Sequence, residues 1–93
     1  MPTYVTLYSY TGSIKGGGPE RFEKVKQVVA EEKGEILSVY GLLGAYDILA
    51  VAEFPDNRAA MKAAAKVGNL ISAKTNTMAA IERDDFLKLV GEL

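Results

Sequence analysis

Two apolar strands and the turn between them decide the fold of this chain, and they lie in residues 36–54, ILSVYGLLGAYDILAVAEF. Residues 36–43 and 46–54 are rich in β-branched, aromatic and other apolar side chains, whereas Gly44-Ala45 is small enough to turn. Apolar runs bounded by small residues are typical of β-hairpins. The stretch therefore predicts strand two, a tight hairpin and strand three.

A helix is predicted before this hairpin. Pro19 suits a first helical position, Glu20 favours the first turn, and apolar residues recur at helical spacing after them. Gly34 then supplies a stop, because glycine commonly ends helices. The pattern predicts helix one over residues 19–33.

A second helix is predicted after strand three. Asp56 and Asn57 follow a proline, and either side chain can cap a helix. A narrow stripe of small side chains follows, and Gly68 closes it. The pattern predicts helix two.

Two further strands and a short helix complete the pattern. Residues 3–10 alternate, with Tyr4, Tyr8 and Tyr10 on one face, and residues 72–81 alternate again. A short helix then begins at Asp84-Asp85. The order β-α-β-β-α-β plus a C-terminal helix predicts one α+β domain over residues 1–93, with a ferredoxin-like four-stranded antiparallel sheet.

Strands two and three are apolar on both faces, which two helices on one side of a sheet do not explain. If Ile48 and its alternate neighbours meet the helices, Leu49 and Val51 face away, beside Tyr8; the opposite parity leaves an equivalent set uncovered. Each such side chain that stays exposed to water loses the roughly 1.5–3 kcal/mol of stabilisation that burial would give. We therefore expect a homodimer, or a higher even oligomer, packed through the helix-free face, with cover by the last helix or a loop as the alternative.

Composition excludes several kinds of chemistry. The 11 basic and 12 acidic residues are intermixed, so we expect neither a nucleic-acid partner nor an anionic membrane. The chain has no Cys and no His, which excludes disulfides and thiolate nucleophiles and removes the commonest general base and transition-metal ligand. We expect no metal, no cofactor and a cytoplasmic location, since no signal-like start is present.

A short motif adds a resemblance to a known family. The segment Gly44-Ala45-Tyr46-Asp47, which enters an apolar strand ending in Glu53-Phe54-Pro55-Asp56, resembles the GYD-domain family, named for its Gly-x-Tyr-Asp stretch. The resemblance covers most of residues 1–82 and none of the tail from Arg83. Thr75-Asn76-Thr77 stands where the family leads us to expect Thr-Glu-Thr. Other stretches that carry the likeness are residues 1–8, 19–21, 39–40 and 68–69.

The resemblance implies a ferredoxin-like fold of the dimeric α/β-barrel type and no particular activity. The hairpin is also similar to that in the effector-binding domains of leucine-responsive regulators. Related barrels include cofactor-free monooxygenases and muconolactone-isomerase-like enzymes. Fold-level likeness of this kind is weak evidence for function.

Five residues are candidates for binding a ligand, and none is assigned a catalytic role. Asp47 begins an apolar strand, where its carboxylate could orient a ligand or act as a base; we favour a local role in accepting amide hydrogen bonds at the turn. Asn69 could touch a carboxylate, although a solvated position is the ordinary explanation. The candidates are Tyr8, Tyr40, Tyr46, Asp47 and Asn69.

The tyrosines of the first two strands indicate the character of a binding site. Tyr8 and the other tyrosines of strand one share a face that Tyr40 joins from strand two, which suits either a hydroxyl-tipped cavity or interface packing. The glycine run at residues 16–18 could present amides to an anion, but a flexible connector or lid is the favoured interpretation.

Three functions stay open from the sequence. The first is a small dimeric sensor or accessory domain that binds a small molecule in a pocket between sheet and helices lined by Tyr8, Tyr40 and Asp47. The second is a cofactor-free enzyme acting on a small aromatic or quinone-like metabolite. The third is a structural or interaction module with no ligand. The absence of His and Cys favours the first.

Overall fold

The computed structural model describes residues 1–12 and 18–93, and within them it has four strands and three helices. Their order confirms the predicted ferredoxin-like βαββαβ arrangement with a C-terminal helix. Most of the predicted glycine-rich connector falls in residues 13–17, outside the described residues. In chain order the elements are β1 (Thr3–Tyr10), α1 (Gly18–Glu31), β2 (Glu35–Gly41), β3 (Ile48–Glu53), α2 (Asn57–Ile71), β4 (Ala73–Ala80) and α3 (Arg83–Gly91).

The four strands form one antiparallel sheet in the order β2-β3-β1-β4. Side chains alternate along central strand β1, where Tyr4, Thr6 and Tyr8 are buried and face the two long helices. The residues between them face the opposite, helix-free side. In β3, Ala52 is opposite Tyr4 and is also buried, so of the two parities left open for strand three the structure has the one in which Ile48, Ala50 and Ala52 face the helices.

The position of Tyr8 corrects one prediction. The sequence pattern predicts Tyr8 beside Leu49 and Val51 on the helix-free side, but the β1–β3 register places it opposite Ile48, on the helix side. Leu7 is the residue opposite Leu49. The reason is that residues directly opposite each other on neighbouring strands point to the same face of the sheet, so Tyr8 lies on the face of Ile48.

A bulge in β2 corrects a second prediction. The β2–β3 register shifts between Ile36 and Ser38, so that Val39 is opposite Ala50 and Tyr40 is opposite Leu49. An extra residue in one strand moves every following side chain to the other face. Tyr40 therefore lies on the helix-free side rather than with the tyrosines of β1, and it is 59% exposed.

The main core lies between the sheet and helices α1 and α2. The ring of Tyr4 meets that of Phe54 edge-on, with centroids 6.0 Å apart. The Tyr4 hydroxyl donates a hydrogen bond of 2.6 Å to Oδ1 of Asn57, which satisfies its polar group at the start of α2. The buried cluster here contains Tyr4, Val29, Ala52, Phe54, Ala60 and Ala63.

Helix α1 ends earlier than predicted, and Gly34 has a different role. The helix stops at Glu31, and Lys33 takes the left-handed conformation (φ 60°) that glycine is predicted to supply. The Gly34 amide closes the end by donating to the Val29 carbonyl oxygen at 2.9 Å. A Cβ on Gly34 would overlap the ring of Phe54, so this glycine is needed for close packing.

Helix α2 begins as predicted and runs past its predicted end. Asp56 is the N-cap, and its Oδ1 accepts the Ala59 amide at 2.9 Å. The helix continues through Gly68 to Ile71, and Ser72 (φ 56°) ends it. Gly68 is buried, and a Cβ there would lie 2.9 Å from Cγ2 of Thr75 in β4.

The connection between β2 and β3 is wider than the predicted two-residue turn. It spans residues 42–47 and is closed by a hydrogen bond of 2.8 Å from the Leu42 amide to the Asp47 carbonyl oxygen. Gly44 has φ 130°, a conformation that side-chain-bearing residues rarely adopt. The glycine of the motif is therefore a turn residue.

An ion-pair group joins the end of α1 to α2. Nζ of Lys66 lies 2.7 Å from Oε2 of Glu32 and 3.4 Å from Oε2 of Glu31. The hydrogen bond from Lys66 holds the pKa of Glu32 below its usual value, with a smaller contribution from Lys62. These contacts fix the C-terminal end of α1 against α2.

Helix α3 is exposed along its whole length. Its N-cap is Glu82, whose Oε1 accepts the Asp84 amide at 3.1 Å. No helix in the described part of the chain is long and apolar enough to span a membrane. The large apolar side chains that α3 exposes are Phe86, Leu87, Leu89 and Val90.

Candidate functional site

A cavity of about 270 Å³ lies between the helix-facing side of the sheet and helices α1 and α2. Its origin is the shortness of the side chains that meet there. Ala60, Ala63 and Ala64 of α2 face Ala50 and Ala52 of β3 across the space. Five methyl side chains cannot fill the usual separation of a helix and a sheet, so a void remains.

The two ends of this cavity differ in polarity. At one end the walls are apolar and come from the core around Val29 and Phe54. At the other end Tyr8 packs with Val67 and Ile71, and Tyr10 contacts this cluster. Arg21, one turn before Val25 on α1, also lines the space. The cavity is therefore amphipathic along its length.

Tyr8 is a buried residue of this cavity that carries a polar group. Its side chain is 7% exposed, and burial raises the pKa of Tyr8 to about 12, with a smaller opposing effect from the Thr6 hydroxyl. The phenol is therefore neutral at physiological pH. It can donate or accept a hydrogen bond from a ligand, but it is poorly suited to act as a base.

Thr6 also lines the cavity, but its hydroxyl is already engaged. The hydroxyls of Thr6 and Thr77 share a hydrogen bond of 2.9 Å between β1 and β4. Because the Thr6 hydroxyl already has this partner, Tyr8, Tyr10 and Arg21 are the better candidates for hydrogen bonds to a ligand.

Asp47 directly precedes β3 and is outside the residues that line the cavity. Its Oδ2 accepts the Tyr10 amide at 2.8 Å, and its own amide donates to the Tyr8 carbonyl oxygen at 2.8 Å. These bonds attach the β2–β3 connection to the end of β1. The geometry supports the structural interpretation of Asp47 over the ligand-orienting one.

The other three predicted residues lie apart from the cavity. Tyr40 is on the helix-free face, Tyr46 is in the β2–β3 connection, and Asn69 is exposed on α2. Of the five candidates, the structure brings Tyr8 to the cavity, with Asp47 fixing the strand end beside it.

Sequence reasoning missed Arg21 and the alanines of α2. A signal for Arg21 was present, because Arg21, Val25 and Val29 recur at intervals of four and so share the inward face of α1. A basic residue on an otherwise apolar helical stripe indicates a polar group at the edge of a core or a site. Among the described residues, no group of three acidic side chains is placed to hold a metal ion.

Comparison with protein families gives one match across nearly the whole chain. The sequence model of the GYD domain matches residues 4–90. The likeness therefore extends into α3, which corrects the expectation that it ends near residue 82. No protein among the curated sequences matches this chain.

Solved structures share the fold at low identity. A feast or famine regulatory protein from M. tuberculosis, complexed with L-methionine, has 12% identity and a TM-score of 0.68 over 88% of this chain and 51% of its own. A protein from Thermus thermophilus has 20% identity and a TM-score of 0.57, covering 88% and 95%. A hypothetical protein from Pyrococcus horikoshii has 21% identity and a TM-score of 0.55, covering 89% and 93%. These likenesses show a shared ferredoxin-like fold.

Proposed function

The chain belongs to the GYD domain family, and from this premise we propose that it is a single small domain that binds a small molecule as a sensor or accessory module and works as a homodimer. The observation that carries the proposal is the amphipathic cavity of about 270 Å³ beneath α1 and α2. Small-molecule sites are typically concave and mostly apolar, with a few convergent polar groups. This cavity has that character.

A regulatory neighbour lends support to a sensor role. The M. tuberculosis regulator that shares the fold is described as a complex with L-methionine, an amino acid. The present chain spans about half the length of that regulator. The comparison supports the class of function, a domain that responds to a small metabolite, rather than any particular ligand.

Binding is better supported than catalysis at this cavity. The cofactor-free enzyme considered from the sequence needs a group that exchanges protons near neutral pH. Burial moves the pKa of Tyr8 away from neutrality, to about 12, and Asp47 makes its hydrogen bond outside the cavity. An enzyme acting on a small aromatic or quinone-like metabolite is therefore the second candidate.

The homodimer is proposed from the helix-free face of the sheet. Val5, Leu7, Leu49 and Val51 lie at its centre, on the two middle strands. Four strands about 4.8 Å apart and up to eight residues long present roughly 450 Å² in projection. Two such faces together present roughly 900 Å², close to the ~1,000 Å² expected of a specific interface. The occupant that fits this face is a second copy of the chain, packed sheet on sheet.

The test of the proposed function is a fragment screen by NMR with a variant that fills the cavity. Ala64→Phe places a ring in the void, and Ala65→Phe makes the same change at the next, exposed position of α2. We expect at least one fragment to shift the amide signals of Tyr8 and Ala63, and this response to persist in the Ala65→Phe protein.

The expected result in the Ala64→Phe protein is loss of that response, with melting curves confirming that both variants fold. Ala64→Leu provides a smaller filler if the phenylalanine variant is unstable. A protein whose cavity signals respond to no fragment would contradict a binding role and favour the structural module. Equal responses in both phenylalanine variants would place binding elsewhere and contradict the proposal as well.

A further inference from the structure

We propose that the cavity selects an amphipathic carboxylic acid, with an apolar body about the size of a fused two-ring system and a carboxylate held by Arg21. This inference rests on the proposed function and adds to it the chemical class of the ligand. It starts from the polarity of the two ends of the cavity, from the position of Arg21 and from the volume available.

Arg21 is the cation among the described residues that line the cavity. It is half-buried on α1, while Lys24 and Lys26 on the same helix are exposed. Lys26 has a partner in Glu23, at 2.9 Å. Within the described residues no carboxylate makes an ion pair with Arg21. A partly desolvated guanidinium at the edge of an apolar space favours a carboxylate, which it can bind through two parallel hydrogen bonds.

Two phenol hydroxyls share the cavity with Arg21. Tyr8 and Tyr10 are two residues apart on β1, so both lie on its helix-facing side, and both line the cavity. Neutral phenols can donate hydrogen bonds to a carboxylate oxygen without adding a negative charge. A cationic ligand head finds no carboxylate among the described lining residues, so the electrostatic preference is for an anion.

The apolar end sets the body of the ligand. Val29, Ile36 and Phe54 supply aliphatic and aromatic surface with no hydrogen-bonding side chain. A void of about 150 Å³ is enough to accept benzene. At about 270 Å³, this cavity has room for a second ring or a short chain in addition.

The experiment compares two probes of equal size by isothermal titration calorimetry. One is 2-naphthoate, which carries a carboxylate, and the other is the neutral 2-naphthalenemethanol. Each is titrated into the unmodified protein and into Arg21→Gln, Arg21→Lys and Lys24→Gln. Lys24→Gln removes one charge from the same helix at an exposed position, so it controls for long-range electrostatics.

We expect the unmodified protein to bind 2-naphthoate about tenfold or more tightly than the alcohol, in keeping with one charge-assisted contact. Arg21→Gln should abolish the preference while affinity for the alcohol stays within about threefold. Arg21→Lys should keep part of the preference for 2-naphthoate, and Lys24→Gln should keep all of it.

Three results would overturn the inference. They are equal affinity for both probes in the unmodified protein, loss of the preference in Lys24→Gln, and binding of neither probe. The fragment screen judges the proposed function separately, because a cavity that accepts fragments but shows no preference for anions leaves that function standing and removes only the ligand class.

Discussion

Leu49 offers the sharpest test of how the helix-free face is covered. It lies on central strand β3, opposite Leu7 on one side and Tyr40 on the other, so its neighbours on the same face are apolar. Leu49→Glu places a carboxylate at the centre of this face. In an isolated subunit the new side chain can reach water, whereas in the proposed dimer it is enclosed by the facing sheet.

The size of the effect follows from two-fold symmetry. Burying a leucine side chain contributes roughly 1.5–3 kcal/mol, and each substitution acts in both subunits of the dimer. The loss is then roughly 3–6 kcal/mol, which weakens the dimer about 10²- to 10⁴-fold. Desolvation of two unpaired carboxylates adds to this loss, so the figure is a lower bound.

Sedimentation velocity over a range of micromolar concentrations measures the effect, with circular dichroism to check folding. Leu43→Glu is the matched control, because Leu43 is fully exposed in the β2–β3 connection and the chemical change is the same. We expect the unmodified protein and Leu43→Glu to sediment as dimers and Leu49→Glu as a folded monomer or an unfolded chain. Identical sedimentation of all three as one species would refute the packing scheme.

Three further predictions concern single residues. Gly34→Ala should lower the free energy of unfolding in urea by about 1–3 kcal/mol, because its Cβ would lie 2.9 Å from the Glu53 carbonyl oxygen. The control Gly91→Ala has open space around the new Cβ and should lower it by nothing, so equal effects of the two changes would be evidence against the close approach. The pKa of Tyr8 is about 12 in the folded protein and 10.0 in the unfolded chain, so the free energy of unfolding should fall by roughly 3 kcal/mol between pH 10 and 12. Tyr8→Phe should lack this loss, and the same dependence of stability on pH in both proteins would contradict the burial of Tyr8. Asp47→Ala should destabilise the protein by about 1 kcal/mol without changing ligand affinity, and a selective loss of affinity instead would restore its role as a binding residue.

The element order could be predicted because each local pattern agreed with the others. Apolar strands, helical spacing and turn residues recur in the βαββαβ order, and each main element lies where the pattern placed it to within a few residues. The helix ends were less predictable. Lys33 and Ser72 adopt positive φ where the pattern predicts glycine to act, because Gly34 and Gly68 are required for close packing instead.

The faces of the strands could be predicted only in part. Alternation separated the two faces within β1 and within β3, but it paired Tyr8 with the wrong face of β3. The bulge after Ile36 also moved Tyr40 to the opposite side of the sheet. A bulge depends on pairing with a neighbouring strand, and the amino-acid pattern of one strand does not reveal it. The placement of Tyr40 in a pocket with Tyr8 was wrong for this reason.

Of the five residues predicted for the site, only Tyr8 lines the cavity, and the volume of the cavity comes from small residues. The sequence pattern indicates Tyr8 as a site residue, and Tyr8 does line the cavity. It indicates Asp47 as a carboxylate that accepts amide hydrogen bonds at the turn, and Asp47 accepts the Tyr10 amide. The void depends on alanines of α2 facing alanines of β3, such as Ala63 and Ala50. Which small residues meet across a core is a property of tertiary packing, so the sequence pattern could not place it.

A crystal structure determined under xenon pressure shows whether the cavity exists in the folded protein, because xenon enters preformed apolar cavities whatever their natural ligand. We expect a xenon peak between the sheet and the two long helices, in contact with Val25, Val67 and Ala63, with the Tyr8 ring lining the same space. A structure in which α1 packs down onto the alanines of β3, with no xenon at that position, would contradict the binding cavity on which the proposed function depends.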